Sequence, residues 1–293
     1  MTGGEDTGGV SPAALEPQRS YRDRQRDESA SLPDVVHHFT FRAMQSPNQA
    51  IEEARAAAAG SAGKREYVQR IFSEIAPRYD LLNHLLSAGI DRRWRTRAID
   101  GLGWSHRPDD VYLDLCAGTL DVSVQLARQS GFRGMVLGAD FAEPMLRAGA
   151  SKAPRERVAP ITSDALALPL RDASVAGAVV AFGIRNLADL DEGLREVLRV
   201  LRPGGRFVIL EFSTPRVPLL RAAYRFYFHR VLPLIGGLIS GHPTAYRYLP
   251  ESVDRFPEQA ALAHRMTVAG FTDVVWRNLS FGIAALHIGR RPG

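Results

Sequence analysis

The sequence predicts an α/β protein built on a doubly wound, mostly parallel seven-stranded sheet that ends in a C-terminal antiparallel hairpin. Three observations predict it. From Val111 onward, apolar runs alternate with helical patterns, as strands joined by covering helices do. Two of the runs, VVAF at 179–182 and FVIL at 207–210, are continuously apolar, the mark of strands buried on both faces. Near the end, two strand-like runs are joined by Ser280-Phe281-Gly282 alone, and so short a joint forces antiparallel pairing.

The elements follow in order. Residues 111–116 read as a strand and 121–129 as the helix after it; 135–139 and 143–152 repeat the pair. Residues 158–162 and 175–182 are further strands. Over 190–201 apolar residues fall at helical spacing (Leu190, Leu194, Val197, Leu198, Leu201). Arg202-Pro203-Gly204-Gly205 is a turn that ends this helix before a strand at 206–212. A helix at 258–269, closed by Gly270, precedes the final strands at 274–279 and 284–289. No internal repeat is visible.

The 293 residues carry 37 Lys+Arg against 32 Asp+Glu, with 45% hydrophobic and 24% charged residues. These are ordinary globular proportions and exclude collagen-like, mucin-like and wholly disordered classes. One cysteine excludes a disulfide framework and a thiolate metal cluster, and suits a reducing compartment. With no secretory pattern at the N-terminus and no run of about 18 apolar residues, the expectation is a cytoplasmic protein. The small basic excess permits attraction to an anionic surface. Without a concentrated basic patch or a D/N-P-P-Y motif it does not indicate a nucleic-acid partner. Residues 1–63 read as a tail, disordered to about Ser31, with an Ala-rich short helix at 49–59; the domain is expected over 64–291. The pair His37-His38 lacks further ligands at zinc-like spacing, so no metal is expected.

In such sheets a ligand binds at the carboxyl ends of the strands, where strand order reverses. The first strand–loop–helix reads Tyr112-Leu113-Asp114-Leu115-Cys116-Ala117-Gly118-Thr119-Leu120-Asp121. It lacks the dinucleotide pattern G-x-G-x-x-G, because Leu120 and Ser123 hold the second and third glycine places. Asp114 and Asp121 flank the loop and would repel a pyrophosphate. They suit a cationic, donor-bearing ligand such as the amino-acid and sulfonium end of S-adenosylmethionine; Asp121 as a plain helix cap is the alternative. Asp140, at the end of the second strand, is placed to accept both hydroxyls of a ribose, or else to cap the next helix. Asp164 is placed to accept the exocyclic amino group of adenine, with the backbone of Ala165 against the ring. Cys116 reads as a packed residue.

Four segments carry a family likeness. Tyr79-Asp80-Leu81-Leu82-Asn83, continuing through Ser87 and Asp91 to Trp94, is similar to Y-D-x-M-N…S…W. Phe182-Gly183-Ile184-Arg185-Asn186 matches F-G-x-R-N. Arg199 to Ser213 is similar to R-V-L-K-P-G-G…E-x-S, and Tyr246 to Ser252 to S-Y-x-x-L-x-E-S. From about Lys64 onward the chain resembles the ubiquinone/menaquinone biosynthesis C-methyltransferases, the UbiE family. It departs from them at Leu81-Leu82, at Asp91 in place of a usual His, and at Leu120. The family's alanine at this last place implies that no positive φ is needed there.

The resemblance implies a Rossmann-like class I methyltransferase that takes S-adenosylmethionine in the loop of Gly118 and Thr119. The implied reaction is C-methylation of a polyprenyl hydroquinone, demethylmenaquinol to menaquinol. The alternatives are a 2-methoxy-6-polyprenyl-1,4-benzoquinol of ubiquinone synthesis, another small molecule, or a non-catalytic scaffold. Ala181, where some ubiquinone-branch members have serine, favours menaquinone. The acceptor carbon becomes nucleophilic when a neighbouring hydroxyl loses its proton, and a fixed guanidinium favours that anion. Arg185 is the first choice for this role, with Asn186 orienting the ring oxygen and Tyr79 in a proton relay. A salt bridge from Arg185 to Asp189 or Asp191 is the alternative, and His229 and His242 are further candidate bases. Residues 64–104 read as a helical lid. Residues 215–257 read as an insert that faces substrate and membrane, its aromatic residues interleaved with arginines, for peripheral contact at the inner face of the membrane. A homodimer stays open.

Overall fold

A computed structural model describes residues 47–60, 63–80, 87, 89–234 and 243–293. Strands β1 (Val111–Leu115), β2 (Met135–Asp140), β3 (Val158–Thr162), β4 (Val175–Ala181), β5 (Leu201–Phe212), β6 (Thr272–Leu279) and β7 (Ala284–Arg290) form one sheet. Their order is β3-β2-β1-β4-β5-β7-β6. β1 to β5 run parallel, and β7 is antiparallel to both β5 and β6. The chain order reverses between β1 and β4, which sets the switch point at their carboxyl ends.

The period-2 alternation of each strand feeds two cores. Val208 and Leu210 pack on one face with Ile99 and Leu102 of α3 (Ile90–Leu102) and Leu126 of α4 (Asp121–Ala127). Phe207 and Ile209 pack on the other with Leu194 and Val197 of α6 (Leu190–Val200) and Leu262 of α9 (Gln259–Val268). α5 (Glu143–Gly149) follows β2. A third cluster joins α1 (Pro47–Ala58), α2 (Lys64–Ile75), α7 (Pro218–Phe226) and α8 (Pro243–Arg255) through Ala54, Val68, Ile71, Tyr224 and Tyr248. α1 lies upstream of Lys64, in the stretch read as a tail, and buries Ala54 and Ala57. His37, His38, Leu81, Leu82, Asn83 and His242 lie outside the described residues.

Two local expectations are corrected. Residues 202–205, read as a turn before the fifth strand, lie inside β5. Val175 pairs with Leu201 and Gly177 with Arg206, so the four residues from Arg202 to Gly205 leave the ladder as a bulge. Gly204 takes φ 76° there, which a glycine does at little steric cost. Leu120 does have positive φ, 65°, and is fully buried. A left-handed non-glycine residue costs about 1–3 kcal/mol, comparable to the roughly 1.5–3 kcal/mol that burying a leucine returns. Gly138 on β2 makes the room: a Cβ there would lie 2.4 Å from Leu120 Cδ2.

Candidate active site

The loop after β1 folds back sharply because Cys116, Gly118 and Leu120 all have positive φ. This brings Gly118 to the end of β2, where its N–H donates to Asp140 Oδ2 at 2.8 Å. Asp140 Oδ1 accepts the Ala142 N–H, also at 2.8 Å, so the same carboxylate caps the turn into α5. Burial raises its pKa, and the backbone donors pull the other way. A carboxylate accepts about four hydrogen bonds, which leaves capacity toward the slot that Asp140 borders with Ser163, Asp164, Ala165 and Asn186. Ser163 Oγ is buried there with no partner among the described residues. The slot is narrow, about 30 Å³. Arg65, from α2, reaches Asp164 at 2.9 Å beside it.

Asp114 and Asp121 do not present paired bare carboxylates to the loop. Asp114 is buried and turned beneath it, accepting both the N–H (2.9 Å) and the Oγ–H (2.6 Å) of Ser123 at the start of α4. Burial lifts its pKa to about 7 against the lowering by Ser123. Asp121 is not the cap of α4, since Leu120 holds that place; it pairs with Lys152 and, at 3.5 Å, with Arg95. Thr119 is buried and donates to Asp80, which also holds Lys152 at 2.6 Å. The Tyr79-Asp80 segment is thereby clamped to the loop.

Beyond the loop lies a larger chamber of about 210 Å³, walled mainly by aromatic rings, among them Phe72, Trp94, Phe182, Phe212 and Phe228. Phe182 and Phe212 are 4.6 Å apart between centroids, and Trp94 lies 6.0 Å from Phe182. Tyr79 borders this chamber and also stands 3.9 Å from where a Cβ on Gly118 would be. Chamber and loop therefore share a wall.

Arg185 borders the chamber from the turn Ile184–Asn186 after β4. The expected alternative partners are elsewhere: Asp189 caps α6 by accepting the Glu192 N–H, and Asp191 pairs with Arg265. Its partner is Glu211 at the end of β5, 2.8 Å from Nη1. Burial raises the pKa of Glu211 against the opposing pull of Arg185. Asn186 Oδ1 accepts the Tyr248 hydroxyl at 3.2 Å. Lys64 Nζ donates to the carbonyls of Arg185 (2.9 Å) and Leu187 (2.7 Å). His229 pairs with Asp254 at 3.1 Å in a partly exposed bridge. Sequence reasoning missed the roles of Glu211, Ser252 and Lys64. Glu211 carried a signal: a carboxylate that ends a continuously apolar strand must find a buried cation.

This sheet order, with a glycine loop at the switch point and an acid closing β2, defines a class I methyltransferase, the S-adenosylmethionine-dependent kind. Residues 61–291 match the ubiE/COQ5 methyltransferase family, and the chain belongs to that family. It is 50% identical to the demethylmenaquinone methyltransferase of Thermus thermophilus, over 76% of this chain and 100% of that one. It is 45% identical to the ubiquinone/menaquinone biosynthesis C-methyltransferase UbiE of Geobacter sulfurreducens, over 78% and 90%. Among solved structures, a Thermotoga maritima S-adenosylmethionine-dependent methyltransferase, described as a possible histamine N-methyltransferase, aligns at TM-score 0.53 and 18% identity, over 76% of this chain and 98% of that one. The [4+2]-cyclase SpnF aligns at 0.58 and 15%, over 78% and 96%. These last two likenesses establish the fold alone. S-adenosylmethionine is the cofactor. The spare acceptors of Asp140 and the unpartnered Ser163 hydroxyl fit a nucleoside rich in donors.

Proposed function

We propose that the protein methylates a ring carbon of a polyprenyl hydroquinone, converting demethylmenaquinol to menaquinol. One observation carries this reading: the aromatic chamber and the glycine loop share Tyr79 as a wall, with Arg185 bordering the chamber. When bound, S-adenosylmethionine supplies a methyl group already activated on its sulfonium. The chain supplies alignment and charge. Asp140 takes the ribose hydroxyls, Asp164 the adenine amino group, and the backbone of Ala165 lies along the ring. Gly118 and Thr119 form the loop under the methionine end, and Asp114 holds that loop from below through Ser123. Arg65 leaves Asp164 for the nucleoside to enter; it is 53% exposed, and such a bridge is worth only about 0–1 kcal/mol, so opening is cheap.

In the chamber, flat aromatic walls hold the ring and keep water out. A phenolic hydroxyl ionises near pH ~10 in water. A guanidinium that stays charged lowers the cost of ionisation. Arg185 fills this role; Asn186 orients a ring oxygen, and Tyr79 relays a proton at the wall shared with the loop. Residues 64–104 act as the lid and 215–257 as the substrate-facing insert.

The acceptor's tail is lipid, and we place a peripheral membrane contact on the insert. Between Glu211 and Glu251 the chain has five arginines and no acid. Leu219, Phe226 and Leu234 are exposed on the helical stretch that sends Tyr224, Phe228 and Leu232 inward. Among the described residues no helix is long and apolar enough to cross a membrane.

The test is direct. Purified protein, S-adenosylmethionine and chemically reduced demethylmenaquinone should yield the singly methylated quinone by mass spectrometry. Arg185→Ala should bind the cofactor normally yet lose at least about 100-fold in single-turnover methyl transfer, the loss typical of removing an anion-stabilising donor. Full activity in that variant discards the role of Arg185, and no product from the wild type discards the substrate.

A further inference from the structure

Glu211 and Ser252 have been given no role of their own in the reaction described so far, and both meet Arg185. Glu211 comes from β5 and Ser252 from α8. The guanidinium is held at every nitrogen but one. Nη1 donates to Glu211 Oε1 at 2.8 Å and to the Phe182 carbonyl. Nε donates to Ser252 Oγ at 3.3 Å, and that hydroxyl in turn donates to the Leu249 carbonyl at 2.9 Å. The guanidinium Cζ lies 5.6 Å from the Phe212 ring centroid. Nη2 makes no hydrogen bond to the described residues, and Arg185 borders the aromatic chamber. Glu211 is equally committed, since Oε1 also accepts the Phe212 N–H at 2.9 Å and Oε2 the Arg185 N–H at 3.4 Å.

Arg185 is 8% exposed and Glu211 1%. A buried ion pair seldom stabilises a fold more than apolar residues of the same size, so stability gives no reason to keep this one. A lone guanidinium against an apolar chamber would be costly. The carboxylate makes the cation tolerable and fixes its direction, and among the described residues Nη2 is left uncommitted.

We propose that Glu211 is the positioning residue of this site, fixing the aim of Arg185 and setting how strongly that guanidinium favours an ionised ring oxygen, with Ser252 contributing to the aim alone. The inference rests on the assignment of Arg185 to the ring oxygen. Glutamine at 211 keeps the shape but removes a negative charge beside the guanidinium, so an oxygen anion at Nη2 becomes more favourable while the arginine loses its hold. Other titratable groups near the pair are Lys64 on α2, Cys116 after β1, Tyr224 on α7 and Tyr248 on α8, with His229 and Asp254 beyond Tyr224, and the chamber is also lined by Tyr79, by the paired Asp91 and Arg95 of α3, and by Tyr227. Burial pushes Cys116 and both tyrosines up, which keeps them neutral. Lys64, lowered to about 8 by burial and by Arg185, is common to every protein compared below.

The experiment uses the full chain saturated with S-adenosylhomocysteine and binds 4-methoxy-1-naphthol, a phenol that is not a quinol and whose ionisation is read by absorbance. In the wild type the ionisation midpoint of the bound probe should fall about one pH unit below that of the free phenol, the low end of what one nearby opposite charge does. Glu211→Gln should lower it by about one unit more. Ser252→Ala should match the wild type, and Arg185→Ala should return to the free value. In parallel, methyl transfer should drop at least about tenfold in kcat for Glu211→Gln and for Ser252→Ala, with the KM for S-adenosylmethionine changed less than about twofold, the pattern of an interaction made only in the transition state. Glu211→Asp keeps the charge with a shorter reach: it should hold the wild-type midpoint and lose turnover, and it serves if the glutamine variant does not fold. A midpoint that Glu211→Gln leaves in place or raises overturns the role of Glu211 alone, as does full turnover in Glu211→Asp. No lowering in the wild type overturns the assignment of Arg185, and this proposal with it.

Discussion

Asp140 and Asp114 show how one residue type serves two purposes at the same sheet end. Asp140 spends its charge on two backbone N–H groups and still faces the slot. Asp140→Ala should therefore weaken S-adenosylmethionine binding by about 10- to 100-fold, the worth of one or two hydrogen bonds to a charged acceptor. Calorimetry checks this, and an unchanged affinity removes Asp140 from the ribose. Asp114 faces away, and its consequence is a pH effect. Its folded pKa of about 7 stands above the ordinary 3.8, so the native state holds a proton that the unfolded chain has released. The stability this provides is complete below the unfolded value and drains as pH rises, until none is left above the folded one. Between pH 5 and 8 the thermal midpoint of the wild type should thus fall more steeply than that of Asp114→Asn. Parallel slopes would reject the raised pKa.

At the scale of elements, α7 with the helical turn Tyr227–Val231 and residues 232–234 after it is a two-faced wall. Tyr224, Phe228 and Leu232 point inward, while Leu219 (82% exposed), Phe226 (65%) and Leu234 (68%) are left in solvent beside Arg225 and Arg230. An exposed apolar stripe edged by cations, on the very helix that lines the chamber, suits insertion at the surface of an anionic bilayer. Leu219→Glu with Phe226→Glu removes two insertions of about 1.5–3 kcal/mol each. Vesicles of phosphatidylglycerol and phosphatidylcholine should bind the double variant at least about tenfold more weakly. Its melting temperature and cofactor affinity should stay as in the wild type, because neither side chain supports the core. Equal vesicle binding would remove this stripe as a membrane contact.

Across the whole molecule, the N-terminal segment is tied to the sheet through polar contacts concentrated at the cofactor end. Lys64 holds the carbonyls after β4, Arg65 holds Asp164, and Asp80 holds both Thr119 and Lys152. With the nucleoside bound at the proposed site, folding and cofactor binding would be coupled. S-adenosylmethionine at 100 times its Kd should stabilise the protein by about 2.7 kcal/mol, an upward shift in melting temperature that calorimetry resolves. Asp140→Ala should lose most of that shift at the same concentration. A shift that survives intact places the nucleoside elsewhere.

The sheet was legible in the residues because buried parallel strands must be continuously apolar, and a three-residue joint leaves only antiparallel pairing. Six of the strands ended within two residues of their expected limits, whereas β5 ran on through Arg202–Gly205. The acids at the ends of β1, β2 and β3 were visible in the same way, as charges that close apolar runs. Their orientation was not. Asp114 and Asp121 looked like a pair, yet Ser123 took one, and Lys152 and Arg95 took the other. Leu120 stands out in the sequence as a departure from the family, but the family's alanine there points away from a positive φ; Gly138, on another strand, holds the space for its left-handed turn. The salt-bridge alternative for Arg185 points to Asp189 and Asp191, its neighbours in sequence, whereas its ion-pair partner lies 26 residues away on an adjacent strand. Periodicity and composition are local properties, and local order governs which elements form. The direction of a buried charge depends on which distant group meets it once the elements pack, because in a low-dielectric interior no charge stays unpaired.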